Sequence, residues 1–213
     1  MSRAVSPAEQ FDDLEQQSSA ATFGMWVFLA TEVLFFGVLF AAYAFCRLQD
    51  PQGFVLASRH TDLLLGGIES VILLLSAALA AWATALLRRD ETRASANLLW
   101  GAAGLGALFM ALHLYEYWKD YGEGLVPGLR FTYSGLHAQT VERFYALYYA
   151  MTLVHLLHLL IGIVLLAFYA RAVRRQRIDA AHASPVMCVA LYWDFVDMVW
   201  IFLFPMLYLV DRS

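Results

Sequence analysis

Long apolar stretches alternate with short polar segments along the chain. Five of these stretches hold about 20 or more residues, enough to cross a hydrocarbon core of about 30 Å as a helix; they are residues 24–46, 63–87, 98–118, 144–170 and 186–209. Backbone polar groups within a bilayer must be satisfied inside the segment, which requires helices. The pattern predicts an all-α, multi-pass bundle of five transmembrane helices.

The segment before the first apolar stretch is polar and acidic. A cleavable signal peptide begins with a basic region and has a shorter apolar core, so we expect the first span to be retained. Residues 1–23 are therefore predicted to be a polar N-terminal tail, and residues 24–213 a single transmembrane domain.

Composition and charge limit the function classes. Of the 213 residues, 61% are hydrophobic and 15% charged, and the formal net charge is −4. A nucleic-acid partner would need a basic patch, so none is expected. Arginines cluster in the loops after the second and fourth spans; they are Arg88, Arg89, Arg93, Arg171, Arg174, Arg175 and Arg177. The positive-inside rule then predicts a cytoplasmic N-terminus and an external C-terminus.

Ionisable residues inside the spans are the candidate functional residues. Each costs about 2.5–3.5 kcal/mol to insert at mid-bilayer, so each needs a partner or a polar cavity. Three pairs have i, i+3 spacing, which puts both members on one helix face. The set is Glu32, Glu69, His113, Glu116, His155, His158, Asp194 and Asp197.

Depth along the spans suggests which of these residues meet. Asp197 and His158 lie about 16 Å and about 18 Å from their inner span ends, so the two are predicted to pair. This pair is either a structural link or part of a proton relay. His113 and His155 lie about 8 Å and about 16 Å from the outer side, and this mismatch argues against a haem held between them. No cofactor, metal or catalytic site is expected in this chain.

Small residues in two spans predict close helix packing. The second span carries Gly66 and Gly67, and the third carries Gly101, Gly104 and Gly106.

The ordered motifs resemble subunit III of the haem–copper oxidases. GMWVFLATEVLFF, with Glu32, is similar to that family's first retained helix, and LHLYEYW places its glutamate at Glu116. VHLLHLLIG resembles its H-x-x-H-x-x-x-G helix at His155 and His158, and YWDFVDMVW its closing helix at Asp197. The resemblance covers residues 22–210. Five spans and this length are similar to the short form found in quinol oxidases and in the NorE type associated with nitric oxide reductase.

The resemblance implies a non-catalytic subunit of a respiratory complex in a bacterial cytoplasmic membrane. Haem and copper would lie in the partner, subunit I, whose stability and proton uptake this chain would support. Glu32 would contact subunit I or a bound phospholipid. Apart from the resemblance, we expect four of the intramembrane residues to hold spans three to five in register, namely His155, His158, Asp197 and Glu116. Asp194 stands where many members have histidine, so no family role is carried over to it.

Two alternatives remain open from the sequence. A free-standing proton or small-ion transporter would use the intramembrane acids, although five spans cannot form two equal repeats. A transient assembly factor for subunit I would need the same polar helix faces. Oxygen and nitric oxide are not distinguished as substrate of the complex.

Overall fold

The computed structural model describes residues 13–128, 130–180 and 183–210. The elements are α1 (Leu14–Gln49), α2 (Pro51–Ser58), α3 (Leu63–Arg88), α4 (Thr92–Glu123), β1 (Leu125–Val126), β2 (Arg130–Phe131), α5 (Ala138–Arg174) and α6 (Ser184–Tyr208). Within the described ranges, five helices are long and apolar enough to cross a membrane, namely α1 and α3 to α6. The predicted all-α bundle of five spanning helices is confirmed.

Helix ends differ from the predicted spans because capping, rather than hydropathy, decides where a helix stops. α1 begins at Leu14, where the Asp13 carboxylate accepts a hydrogen bond of 2.6 Å from the Gln16 amide. The predicted tail therefore becomes helical well before residue 24, and residues 1–12 lie outside the described part of the chain. α4 continues past Trp118 to Glu123 and ends at Gly124, whose φ of 73° suits glycine.

Asp50, which follows the last residue of α1, links the start of α2 to the start of α5. Asp50 caps α2 by accepting from the Gly53 amide at 3.1 Å, and it also accepts from Thr140 Oγ1 at 2.7 Å and His137 Nδ1 at 2.6 Å. The Thr140 hydrogen bond is the main reason that the pKa of Asp50 lies below its ordinary value. α2 and the two-residue β1–β2 ladder, Leu125 with Phe131 and Val126 with Arg130, are not predicted by the hydropathy pattern.

α6 occupies the centre of the packing. The indole of Trp193 lies between α4 and α5, at positions where a Cβ on Gly106 or Gly162 would approach the ring to 2.5 and 2.6 Å. Its Nε1–H donates to Ser76 Oγ of α3 at 3.0 Å. A Cβ on Gly104 would have open space around it. Only some of the glycines that the sequence predicts to allow close helix packing therefore do so.

α1 lies at the edge of the bundle and is the least buried of the five long helices. It contacts α6 and, to a smaller extent, α5. The Tyr43 hydroxyl donates to the Met206 carbonyl and joins α1 to α6. A groove of about 230 Å³ remains between α1 and α6, lined by residues that include Phe36, Phe40 and Phe202.

Candidate functional site

Three of the candidate residues meet in the buried interior between α3 and α4. His113 Nδ1 lies 3.3 Å from Glu69 Oε2 and 3.6 Å from Glu116 Oε2. All three side chains are essentially inaccessible to solvent. The i, i+3 spacing places His113 and Glu116 on one face of α4, and Glu69 meets them from α3. We call these three residues the buried triad.

Tyrosines extend the buried triad towards α5 and α6. The Tyr208 hydroxyl donates to Glu116 Oε2 at 2.6 Å, and it lies 3.2 Å from the hydroxyl of Tyr148. Glu116 thereby links α4 to α6. Glu69 Oε1, Glu116 Oε1 and His113 Nε2 are buried without a hydrogen-bond partner. Sequence reasoning missed the tyrosines and the meeting of Glu69 with His113, since the helix register that joins them is not visible in spacing along the chain.

His158 pairs with Glu32 and not with Asp197, which corrects the sequence-based prediction. His158 Nε2 lies 3.1 Å from Glu32 Oε2, and its Nδ1 lies 2.8 Å from the Val154 carbonyl oxygen. Nδ1 must therefore carry a hydrogen, because a carbonyl can only accept. The ring of His158 thus joins α5 to α1, whereas spans four and five are linked at this residue through its carbonyl oxygen, which accepts from the Tyr192 hydroxyl at 3.0 Å.

Asp197 is 3% exposed, and both of its carboxyl oxygens lack a hydrogen-bond partner. The prediction from depth failed because depth leaves the direction around the helix axis open. Asp197 is four residues after Trp193 and three before Trp200, so it shares the face whose indoles donate to serines of α3. Asp194 is half-buried. The hydrogen bonds and ion pairs of the described residues give it no partner.

His113 and His155 lie at similar depth, so the predicted offset of about 8 Å is wrong. Tyr117 Oη lies 2.6 Å from Thr152 Oγ1. Because α4 and α5 run antiparallel, His113, four residues before Tyr117, lies level with position 156, four residues after Thr152. The offset arose because the predicted outer ends were assumed to be level; α4 in fact runs on to Glu123 and α5 begins at Ala138, so neither predicted end marks a common depth.

The depth argument against a haem held between His113 and His155 therefore does not hold. The argument against such a haem rests instead on the aromatic side chains that pack around both imidazole rings. Phe109 and Trp200 contact both imidazoles, with the Trp200 centroid 5.4 Å from each ring. Both ring nitrogens of His155 are without a hydrogen-bond partner, so its contacts are with aromatic rings and it makes no polar link between helices.

Glu32 lies beside the groove between α1 and α6. Its side chain is 17% exposed and that of His158 is 15% exposed. Phe36, one turn further along α1, packs against the His158 ring at 5.2 Å and against Phe195 of the groove at 6.2 Å. The arrangement is a histidine–carboxyl pair at the edge of an apolar groove, with a small part of each side chain exposed.

Comparisons with known proteins agree on one family. The family model described as cytochrome c oxidase subunit III matches residues 15–211. Cytochrome c oxidase subunit 3 of Thermostichus vulcanus is 31% identical over 202 residues, which cover 94% of this chain and 92% of that protein. The probable quinol oxidase subunit 3 of Staphylococcus epidermidis is 25% identical over 203 residues, covering 95% of each chain.

A third relative is a larger protein. The haem–copper oxidase subunit I+III of Aeropyrum pernix is 32% identical over 198 residues, which cover 87% of this chain and 22% of that protein.

Proposed function

The chain belongs to the cytochrome c oxidase subunit III family, whose members are non-catalytic subunits of haem–copper oxidase complexes, and we propose that it binds and stabilises the catalytic subunit I through the outer face of α1. In this proposal the complex reduces oxygen in a bacterial cytoplasmic membrane. The haem and copper belong to subunit I, and this chain supports proton uptake without carrying a redox centre.

The proposal rests on the small share of α1 that is buried within its own chain. Leu34, Val38 and Phe45 form an apolar stripe on the side of α1 that faces away from the bundle, and Leu34 is 72% exposed. A spanning helix with so little burial within its own chain leaves a long face for a neighbouring helix or for lipid. The Aeropyrum pernix relative, named as subunits I and III together, supports a protein neighbour.

Glu32 and His158 add a polar pair beside this interface, on the side of α1 that faces α5, because Glu32 is two positions from Leu34 and points nearly the opposite way around the helix. Glu32 is the candidate contact to subunit I or to a phospholipid held in the α1–α6 groove. An imidazole and a carboxyl in contact can pass a proton between them, and both side chains keep some exposure at the edge of the groove. This is the point at which the chain would influence proton uptake by its partner.

Site-directed photo-crosslinking tests which helix face meets the partner. Benzoylphenylalanine replaces Leu34 on α1 or, as the matched control, Trp82 on α3, which is 61% exposed and lies on a helix that does not share the α1 edge. We expect a crosslink to a large polytopic protein from position 34 and none from position 82. Crosslinks from position 82 alone, or from neither position, would contradict the proposed interface.

The proposed orientation places the N-terminus in the cytoplasm, from the arginines of the α3–α4 and α5–α6 loops. Single cysteines at Ser134 and at Arg89, both exposed at opposite ends of the bundle, test it in a background without Cys46 and Cys188. A membrane-impermeant maleimide is expected to label S134C in intact cells and R89C only after lysis. The reverse pattern would invert the orientation.

A further inference from the structure

The buried triad carries an unbalanced set of charges and lone pairs. Two carboxylates face one imidazole, and the ion pairs of the described residues give neither carboxylate a Lys or Arg partner. One oxygen of Glu69 and one of Glu116 are buried and unpartnered. An uncompensated buried carboxylate costs several kcal/mol, so this interior requires either protons or a cation.

The spacing of the inward-facing atoms favours a cation. A zinc ion binds His nitrogen and Glu oxygen at about 2.0–2.1 Å in a tetrahedral arrangement, whose ligand atoms are then about 3.3–3.4 Å apart. The separations from His113 Nδ1 are 3.3 Å to Glu69 Oε2 and 3.6 Å to Glu116 Oε2. The ligand atoms of all three residues lie within 4.8 Å of one another. A usual N–H···O hydrogen bond is shorter, at about 2.9–3.0 Å.

We propose that Glu69, His113 and Glu116 form a structural divalent-metal site, with zinc as its ion. Two carboxylates and a neutral imidazole carry a charge of −2, which Zn²⁺ neutralises without adding a proton. The unpartnered oxygens Glu69 Oε1 and Glu116 Oε1 are available to complete the coordination shell. The ion would join α3 to α4, and the Tyr208 hydroxyl would hold Glu116 in orientation from α6.

This site differs from the sequence-based expectation that the chain binds no metal. Glu69 and His113 are separated by 44 positions and belong to different helices, so no ligand motif appears along the chain. It also goes beyond the proposed function, because a metal held between α3 and α4 does not depend on which partner covers α1.

Metal analysis of the purified protein tests the proposal directly. The tagged full-length chain, in whatever assembly it forms, is extracted in mild detergent and exchanged into zinc-free buffer. Its metal content is then measured by mass spectrometry and its zinc environment by K-edge X-ray absorption. We expect zinc at one ion per chain, with nitrogen and oxygen neighbours at about 2.0 Å and the outer-shell scattering of an imidazole.

Matched variants assign the zinc to the buried triad. Glu69→Gln keeps the shape of the side chain but removes a charged ligand, so zinc affinity is expected to fall by more than the about 10–100-fold that loss of an outer-shell partner costs, with loss of the bound ion on exchange. Asp120→Asn alters a buried acid one turn along α4 from Glu116 and is expected to keep the ion. Equal zinc in E69Q and in D120N would overturn the assignment.

A second measurement keeps the proposal testable if E69Q does not fold. Wild-type protein that is incubated with zinc chloride alone and then exchanged again must retain the ion. Wild-type protein without zinc both before and after this incubation would overturn the proposal and would leave the triad as a proton-holding cluster. Partner identification in the same preparation is a separate readout, so failure of the metal site is distinguishable from failure of the proposed interface.

Discussion

Adding one methyl group to Gly106 is expected to disturb the centre of the bundle. A Cβ at this position would lie 2.5 Å from Cη2 and 2.9 Å from Cζ2 of Trp193, far inside an ordinary carbon–carbon contact of about 3.5–4.0 Å. The indole cannot move aside freely. On α5, the Cβ position of Gly162 lies 2.6 Å from Cε3 of the same ring, and Nε1 is tied to Ser76.

The magnitude follows from two opposing effects. Overpacking a core by one methylene costs about 1–3 kcal/mol, and a pinned indole places this site at the upper end. Replacing Gly by Ala inside a helix returns about 1 kcal/mol. The net loss for Gly106→Ala is therefore about 2 kcal/mol, which lowers the apparent melting temperature by about 4–8 °C for a chain of this size.

Thermal unfolding in detergent at one fixed heating rate measures this effect, because membrane proteins unfold irreversibly and only matched scans compare. Gly104→Ala, two residues away with open space around its Cβ position, is the control and is expected to be neutral or stabilising by up to about 1 kcal/mol. The double variant G106A/G162A should lose more than the sum of the single losses, since both sides of the ring are then closed. A G106A variant as stable as G104A would refute the packing described for Trp193.

Three further predictions concern polar contacts. Ser76→Ala removes the acceptor of the Trp193 indole and should cost about 1–3 kcal/mol in thermal unfolding, whereas the same change should cost less in a W193F background; equal costs would contradict the hydrogen bond. Asp50→Asn keeps the helix cap but removes the charge. Because hydrogen bonds, first the one from the α5 threonine, hold the pKa of Asp50 below its ordinary 3.8, the wild type should be the more stable above about pH 4. That advantage should vanish as the pH falls through the lowered pKa, and a gap that grows on acidification would contradict the assignment. A double-mutant cycle on Glu32→Gln and His158→Ala should give a coupling of about 0.5–3 kcal/mol, while additive effects would show that the two side chains do not interact.

Hydropathy predicts the five spanning helices because the bilayer sets the length of a span and requires its backbone polar groups to hydrogen-bond within the helix. The same pattern misses α2, whose eight residues are too few to span a bilayer, and the β1–β2 ladder, whose two strands hold two residues each. It also ends α4 too early. Polar residues at Lys119 and Asp120 interrupt the apolar stretch, yet the helix continues until Gly124 adopts a left-handed conformation.

The partners of the intramembrane residues were harder to predict than their location. The i, i+3 spacing correctly grouped His113 with Glu116, since one helix turn fixes that neighbour. Pairing across helices needs both the register and the rotation of each helix, and these are set by packing around bulky side chains such as Trp193. For this reason depth alone assigned His158 to Asp197, whereas the rotation of α5 turns it to Glu32 on α1.

The central claim, that this chain is a subunit of a haem–copper complex, is tested most directly by purifying the tagged chain from native membranes in mild detergent. A reduced-minus-oxidised spectrum and identification of co-purifying proteins are recorded on the same preparation. The account predicts haem of a- or o-type together with a large polytopic partner. Haem of b- and c-type would instead assign the chain to a nitric oxide reductase, and a stable, haem-free chain purified alone would contradict the account and favour an independent transporter.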